Sequence, residues 1–294
     1  MSENNKFLNK KRANPAKGSE DESDVIKKKK ISAVKVEVTK DGKAIIEYDN
    51  RDRYEGDLED GKMEGQGIMY YADGYRYEGE WSNNAPEGKG KLSLNATVIY
   101  EGDWKEGKRE GQGTLICPNG DRYEGDWMDD KREGKGIYYF NDGDRYEGDL
   151  KNDKREGKGT FYSNNGSMYV GDWKDDKMEG KGTFYANNGD MYVGDWNDGK
   201  MEGKGTVYYA NGERYIGNCK DGKKEGEGTV YYANGERYVG NFQNDLPNGV
   251  FTHYYNNGDS ERERYINGNY AGPVRHTDNI VNLRNQIRNN ERTI

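Results

Sequence analysis

A tyrosine returns every 23 residues through most of this chain: Tyr54, Tyr77, Tyr100, Tyr123, Tyr146, Tyr169, Tyr192, Tyr215 and Tyr238. Phase this strict excludes a fold organised around one centre and predicts a tandem array of like units. Counting each unit from its tyrosine as column zero, glycine fills columns two and eleven in all nine units and columns thirteen and twenty in eight. Those four columns hold 34 of the 42 glycines, so glycine here is tied to position. Column four is large. It contains all five tryptophans (Trp81, Trp104, Trp127, Trp173 and Trp196), with Leu58, Leu150, Cys219 and Phe242 in the other units.

Within Tyr123-Glu124-Gly125-Asp126-Trp127, ring or glycine alternates with carboxylate, the two-residue period of a strand with one wet face. A polar stretch ending in Glu133-Gly134-Lys135-Gly136 leads to a second aromatic run, Ile137-Tyr138-Tyr139-Phe140. Asn-Gly pairs at column twenty, such as Asn119-Gly120 and Asn188-Gly189, signal tight turns. Each unit is thus two short strands and two reversals. Glycine inside a strand costs about 0.5–1 kcal/mol relative to alanine, and the expected return is clearance for a ring to lie across bare backbone. The expectation is an all-β, elongated, single-layer antiparallel meander of stacked hairpins. Its spine includes Tyr123, Gly125, Trp127, Tyr169, Gly171, Trp173, Tyr192, Gly194 and Trp196.

Composition agrees with a thin structure, because 31% of the residues are hydrophobic and 34% charged. No apolar run reaches membrane length and no signal-peptide core follows Met1. Two cysteines in different columns, Cys117 and Cys219, suggest no disulfide framework, and a cytoplasmic protein is expected. Residues 1–43 carry 12 Lys/Arg against 7 Asp/Glu, whereas residues 44–271 carry 30 against 45. An acidic array is a poor partner for nucleic acid.

Residues 1–31 read as a disordered basic tail in which Lys27, Lys28, Lys29 and Lys30 are a nuclear-import signal, an anionic-lipid contact or simple solvation. Residues 32–53 read as a capping hairpin, 54–270 as nine repeats with an irregular last one, and 271–294 as a tail with a short helix carrying Ile280, Leu283 and Ile287. Pro86 and Thr97, which replaces the turn glycine, predict a local distortion near residues 82–99.

Motifs that resemble chemistry dissolve on inspection. Gly-Lys-Gly-Thr at 157–160, 180–183 and 203–206 lacks the spacing of a phosphate loop. Asp142-Gly143-Asp144 lacks the rest of a calcium loop. Two histidines, His253 and His276, are too few for a zinc site or a catalytic triad. No cofactor, metal, catalytic residue or small-molecule substrate is expected.

Tyr-x-Gly-x-Trp followed by Glu-Gly-Lys-Gly-Thr and Asn-Gly, as in residues 169–189, closely resembles the MORN repeat. The resemblance implies a single-layer antiparallel sheet, and no catalytic domain is expected once the repeats are subtracted. It also implies kinship with stand-alone MORN proteins of radial spokes and protist cytoskeletal structures. A non-enzymatic, cytoskeleton-associated scaffold that assembles other proteins, with the ciliary axoneme as one setting, is the leading expectation. A peripheral adaptor that binds anionic phospholipids, including phosphoinositides, through the basic tail is the alternative.

Column one divides the array. It reads Glu55, Glu78, Glu101, Glu124 and Glu147, then Val170, Val193, Ile216 and Val239. The last four form an aliphatic stripe, read either as a surface for docking or homodimer formation or as residues covered within the fold.

Overall fold

The computed structural model describes residues 32–274. Lys27, Lys28, Lys29 and Lys30 and the expected tail helix lie outside the described residues. Within them every regular element is a strand, 23 in all, from Ala33–Val38 to Asn269–Pro273. The described chain falls into two compact units. The amino-terminal unit comprises residues 32–165 and 173–176, and the carboxy-terminal unit comprises residues 166–172 and 177–274. In the first, strands pair antiparallel with their chain neighbours from Ala33–Val38 through Lys154–Tyr162. The second does the same from Lys177–Tyr185 through Asn269–Pro273. Each unit is a meander.

The tightest reversal is not the one marked by Asn-Gly. Between Arg122–Met128 and Lys131–Tyr139 the chain turns in two residues, Asp129 and Asp130, with φ of 49° and 67°. Both are left-handed, as a type I′ hairpin requires, and Asp and Asn tolerate that region without glycine. The Asn-Gly reversals are longer. Cys117 N–H donates to Asp121 O at 2.8 Å across a three-residue loop closed by Gly120 at φ 90°. In the second repeat Asn95 and Ala96 (φ 48° and 69°) replace that loop by a two-residue turn, with a register shift at Leu92/Ser93. This is the distortion anticipated there. Pro86 is fully buried opposite Trp81.

A bulge recurs from repeat to repeat, and in the first seven one carboxylate holds it, while the eighth has Asn218 in its place. Gly148 pairs with Gly159 and Leu150 with Arg155, so one strand spends two more residues than its partner over that stretch. Gly157 takes φ +64° within the bulge, and a Cβ there would meet Asp149 Oδ2 at 2.7 Å. Asp149 Oδ2 accepts the amide of Lys158 at 2.9 Å. That hydrogen bond, aided by Lys135 against the opposing effect of burial, holds the Asp149 carboxyl below its usual range.

The inner face is ring over glycine. Tyr123 is fully buried, and its hydroxyl donates to Asp126 O at 2.9 Å. A Cβ on Gly125 would lie 2.5 Å from the Tyr123 hydroxyl and 2.5 Å from Gly136 Cα, and one on Gly136 would lie 2.6 Å from Tyr123 Cζ. Column-four tryptophans meet the tyrosines edge-on, not stacked: Tyr100–Trp127 and Tyr123–Trp127 are 5.4 and 5.3 Å apart at 87° and 80°. Tyr192 and Trp196 repeat the geometry in the carboxy-terminal unit at 5.3 Å and 81°. In the last repeat Phe251 replaces the column-thirteen glycine and covers Gly240, while Tyr238 stacks on His253 at 4.0 Å. The first strand is a contrast. Val34, Val36 and Val38 alternate along it, yet all three are exposed.

Candidate functional site

Columns minus one, one and three project from the face opposite the tyrosines, and columns twelve, fourteen and sixteen of the paired strand lie beside them. Three rows result. In the amino-terminal unit the first row alternates arginine and tyrosine except in its middle, where Ser93, Ile99 and Ile116 stand, with the Arg122 guanidinium 4.3 Å from the Tyr139 ring centre and that of Arg145 4.2 Å from Tyr162. The same arginines pair with the column-one glutamates of the second row: Arg76–Glu78 at 2.7 Å, Arg122–Glu124 at 2.5 Å and Arg145–Glu147 at 3.5 Å. The third row pairs lysine with aspartate, as in Lys135–Asp149 at 2.9 Å. Exposed pairs contribute about 0–1 kcal/mol each. Their consequence is a face that satisfies its own charge.

An open groove of about 700 Å³ runs over this face. Glycine backbone (Gly79, Gly90, Gly102, Gly113) floors it, because the tyrosines occupy the other side, and Glu78, Lys89, Lys91, Glu101 and Gln112 line its walls. Lys91 and Glu101 close on each other at 3.0 Å.

The carboxy-terminal unit changes two rows together. Met168 and Met191 replace column-minus-one arginine in the sixth and seventh repeats, where Val170 and Val193 replace the glutamates. Tyr185 and Tyr208 both pair with Met191, so the methionine stands where a guanidinium stands elsewhere. The result is a cluster of exposed apolar side chains: Val170 41%, Tyr185 41%, Val193 41%, Tyr208 39% and Ile216 40%. Val239, at the end of the stripe, is half-buried. Threonines fill the intervening positions, Val193 between Thr183 and Thr206 and Ile216 between Thr206 and Thr229. The aliphatic stripe was legible in the sequence, whereas the methionines were missed because their meaning depends on which tyrosine lies across the strand.

The spine residues, by contrast, are packed away. Tyr123, Trp127, Tyr169, Trp173, Tyr192 and Trp196 are buried, with Gly125, Gly171 and Gly194 beneath the tyrosine rings. Burial pushes the Tyr123 and Tyr192 hydroxyls well above the usual phenol value and that of Tyr209 up to about 12. Cys219, also buried, has its thiol pushed up to about 11, which leaves it a poor nucleophile at neutral pH. Among the described residues no three His, Cys, Asp or Glu side chains converge on a common point, and no helix is long and apolar enough to cross a membrane.

No curated protein sequence matches the chain. Among solved structures, the TCP10 domain of Danio rerio CPAP in complex with a STIL peptide is 11% identical, covering 82% of this chain and 98% of that domain at a TM-score of 0.28. The TCP domain of Drosophila melanogaster SAS-4 with a proline-rich motif of Ana2 is 17% identical, covering 67% and 88% at a TM-score of 0.24. Likenesses this weak carry no argument about this chain. The MORN repeat family model, however, matches nine consecutive segments from residue 54 to residue 260, in phase with the tyrosines. With ring, glycine pair and bulge repeated in the same phase, the chain belongs to the MORN-repeat family.

Proposed function

We propose that this chain is a non-enzymatic scaffold that joins other proteins through the outer face of its carboxy-terminal unit. The supporting observation is the exposed cluster of Val170, Tyr185, Val193, Tyr208 and Ile216, on a face that the amino-terminal unit keeps charge-paired. Contiguous exposed apolar side chains rimmed by polar ones mark contact surfaces. Inner-face side chains are committed to holding repeats together, which leaves the outer rows for partners. Membership of the MORN-repeat family favours a cytoplasmic, cytoskeletal setting, with the radial spoke of the ciliary axoneme as its most concrete form.

Affinity purification of the full chain from native extract, with Val193→Glu and Ile216→Glu combined, tests this reading. The wild-type chain should sediment with detergent-resistant cytoskeleton together with its partners, and the variant should lose both. A wild-type chain wholly in the soluble fraction, or partners retained by the variant, overturns it.

A further inference from the structure

The structure assigns the neutral patch centred on Met191 to a proline-rich segment of a partner, bound as a polyproline II helix running across the strands; this deepens, and rests on, the scaffold reading above. The first argument is period. Successive repeats lie two strand spacings apart, about 9.6 Å, and polyproline II advances about 9.3 Å per three-residue turn. Every third ligand side chain therefore meets an equivalent position on the next repeat, Tyr185 then Tyr208, or Val170, then Val193, then Ile216. The slippage is about 0.3 Å per repeat. An α-helix returns to the same face at about 10.5 Å after seven residues, and a strand at about 6.8 or 13.6 Å. Both drift out of phase by at least about 0.9 Å at each repeat.

The second argument is charge. Met191, Val193 and their cross-strand partners Thr183, Tyr185, Thr206 and Tyr208 carry none, whereas Arg122 and Glu124 form an ion pair at the corresponding positions of the amino-terminal unit. The nearest charges, Arg214 across from Tyr208 and the Lys181–Asp195 pair beside Thr183, stand at the edges of the patch. A charged ligand seated over Met191 itself would lose hydration without gaining a counter-charge, and an uncharged proline segment loses least. The third is hydrogen bonding. Polyproline II makes no internal hydrogen bonds, so its carbonyls face outward as acceptors. Tyrosine and threonine hydroxyls on the patch are donors of the matching kind. Aromatic rings bordered by such donors are how proline segments are generally gripped.

The test is fluorescence anisotropy of labelled decaproline titrated with the full chain, beside a Gly-Ser peptide of equal length. The variant combines Met191→Arg with Val193→Glu, which installs the pair that Arg122 and Glu124 already form in a folded repeat; far-UV circular dichroism checks that it folds. Decaproline should bind saturably, the Gly-Ser peptide should not, and the folded variant should bind decaproline about tenfold more weakly or worse. Absence of saturable binding, equal binding of the Gly-Ser peptide, or unchanged affinity in the folded variant overturns the assignment. So does a wild-type dimer that the variant dissociates in sedimentation, since the patch then belongs to a second copy. If decaproline fails while the Val193→Glu/Ile216→Glu chain still loses its native partners, the scaffold reading stands and only the ligand class is wrong.

Discussion

The two units share an inner face and differ in the outer one. Tyr123 over Gly125 and Gly136 in the first matches Tyr192 over Gly194 and Gly205 in the second, down to the hydroxyl donated to the carbonyl three residues on. Across the same strands, Arg122 and Glu124 answer each other where Met191 and Val193 do not. The comparison separates what the fold demands from what it merely permits. Inner columns tolerate few residues because a ring and two backbones fill the space, whereas the outer columns are free to vary.

The largest expected effect attacks the shared face. Gly136→Ala and Gly205→Ala each place a methyl group 2.6 Å from a tyrosine Cζ, and each should destabilise its unit by about 3 kcal/mol or more in urea denaturation. A loss confined to one unit would break the claim that the inner face is common. Next comes alkali. The inner tyrosines have hydroxyls raised by burial above the ordinary value of 10.0, so their contribution is complete below pH 10 and is lost as pH rises through the folded value. Phenolate absorbance from these residues should therefore appear together with loss of strand ellipticity in both units. Their ionisation with the strand signal intact would contradict the burial on which the comparison rests. The smallest effect on stability belongs to the outer face: Arg122→Met with Glu124→Val should shift unfolding by no more than about 0.5 kcal/mol. It should nevertheless raise binding of a hydrophobic dye, because it copies Met191 and Val193 onto the amino-terminal unit.

Period and glycine columns made the hairpins and the ring-over-glycine packing legible, because a strictly repeated cost implies a repeated steric cause. Turn type was harder to read. Asp129-Asp130 and Asn152-Asp153 close the tightest hairpins with no glycine, using left-handed Asp and Asn, while the conspicuous Asn-Gly pairs serve longer loops. The bulge at Gly157 was hidden too, since its glycine answers a backbone angle and an aspartate eight residues earlier in the chain, Asp149, not a ring. At the outer site, Val170 and Val193 stood out by column. The absence of a guanidinium near Tyr185 emerges only from cross-strand register, which places Met191 there.

Completion of a repeat runs in one direction. Gly113 O waits for the indole N–H of Trp127 fourteen residues later, the Glu110 carboxylate for the amide of Asp129 nineteen later, and the Arg109 amide for Asp130 twenty-one later. On the ribosome the third hairpin therefore stays unfinished until the start of the fourth has emerged, and each new stretch seals the one ahead of it. Synthesis itself then sets the order in which the array closes, from the amino end onward.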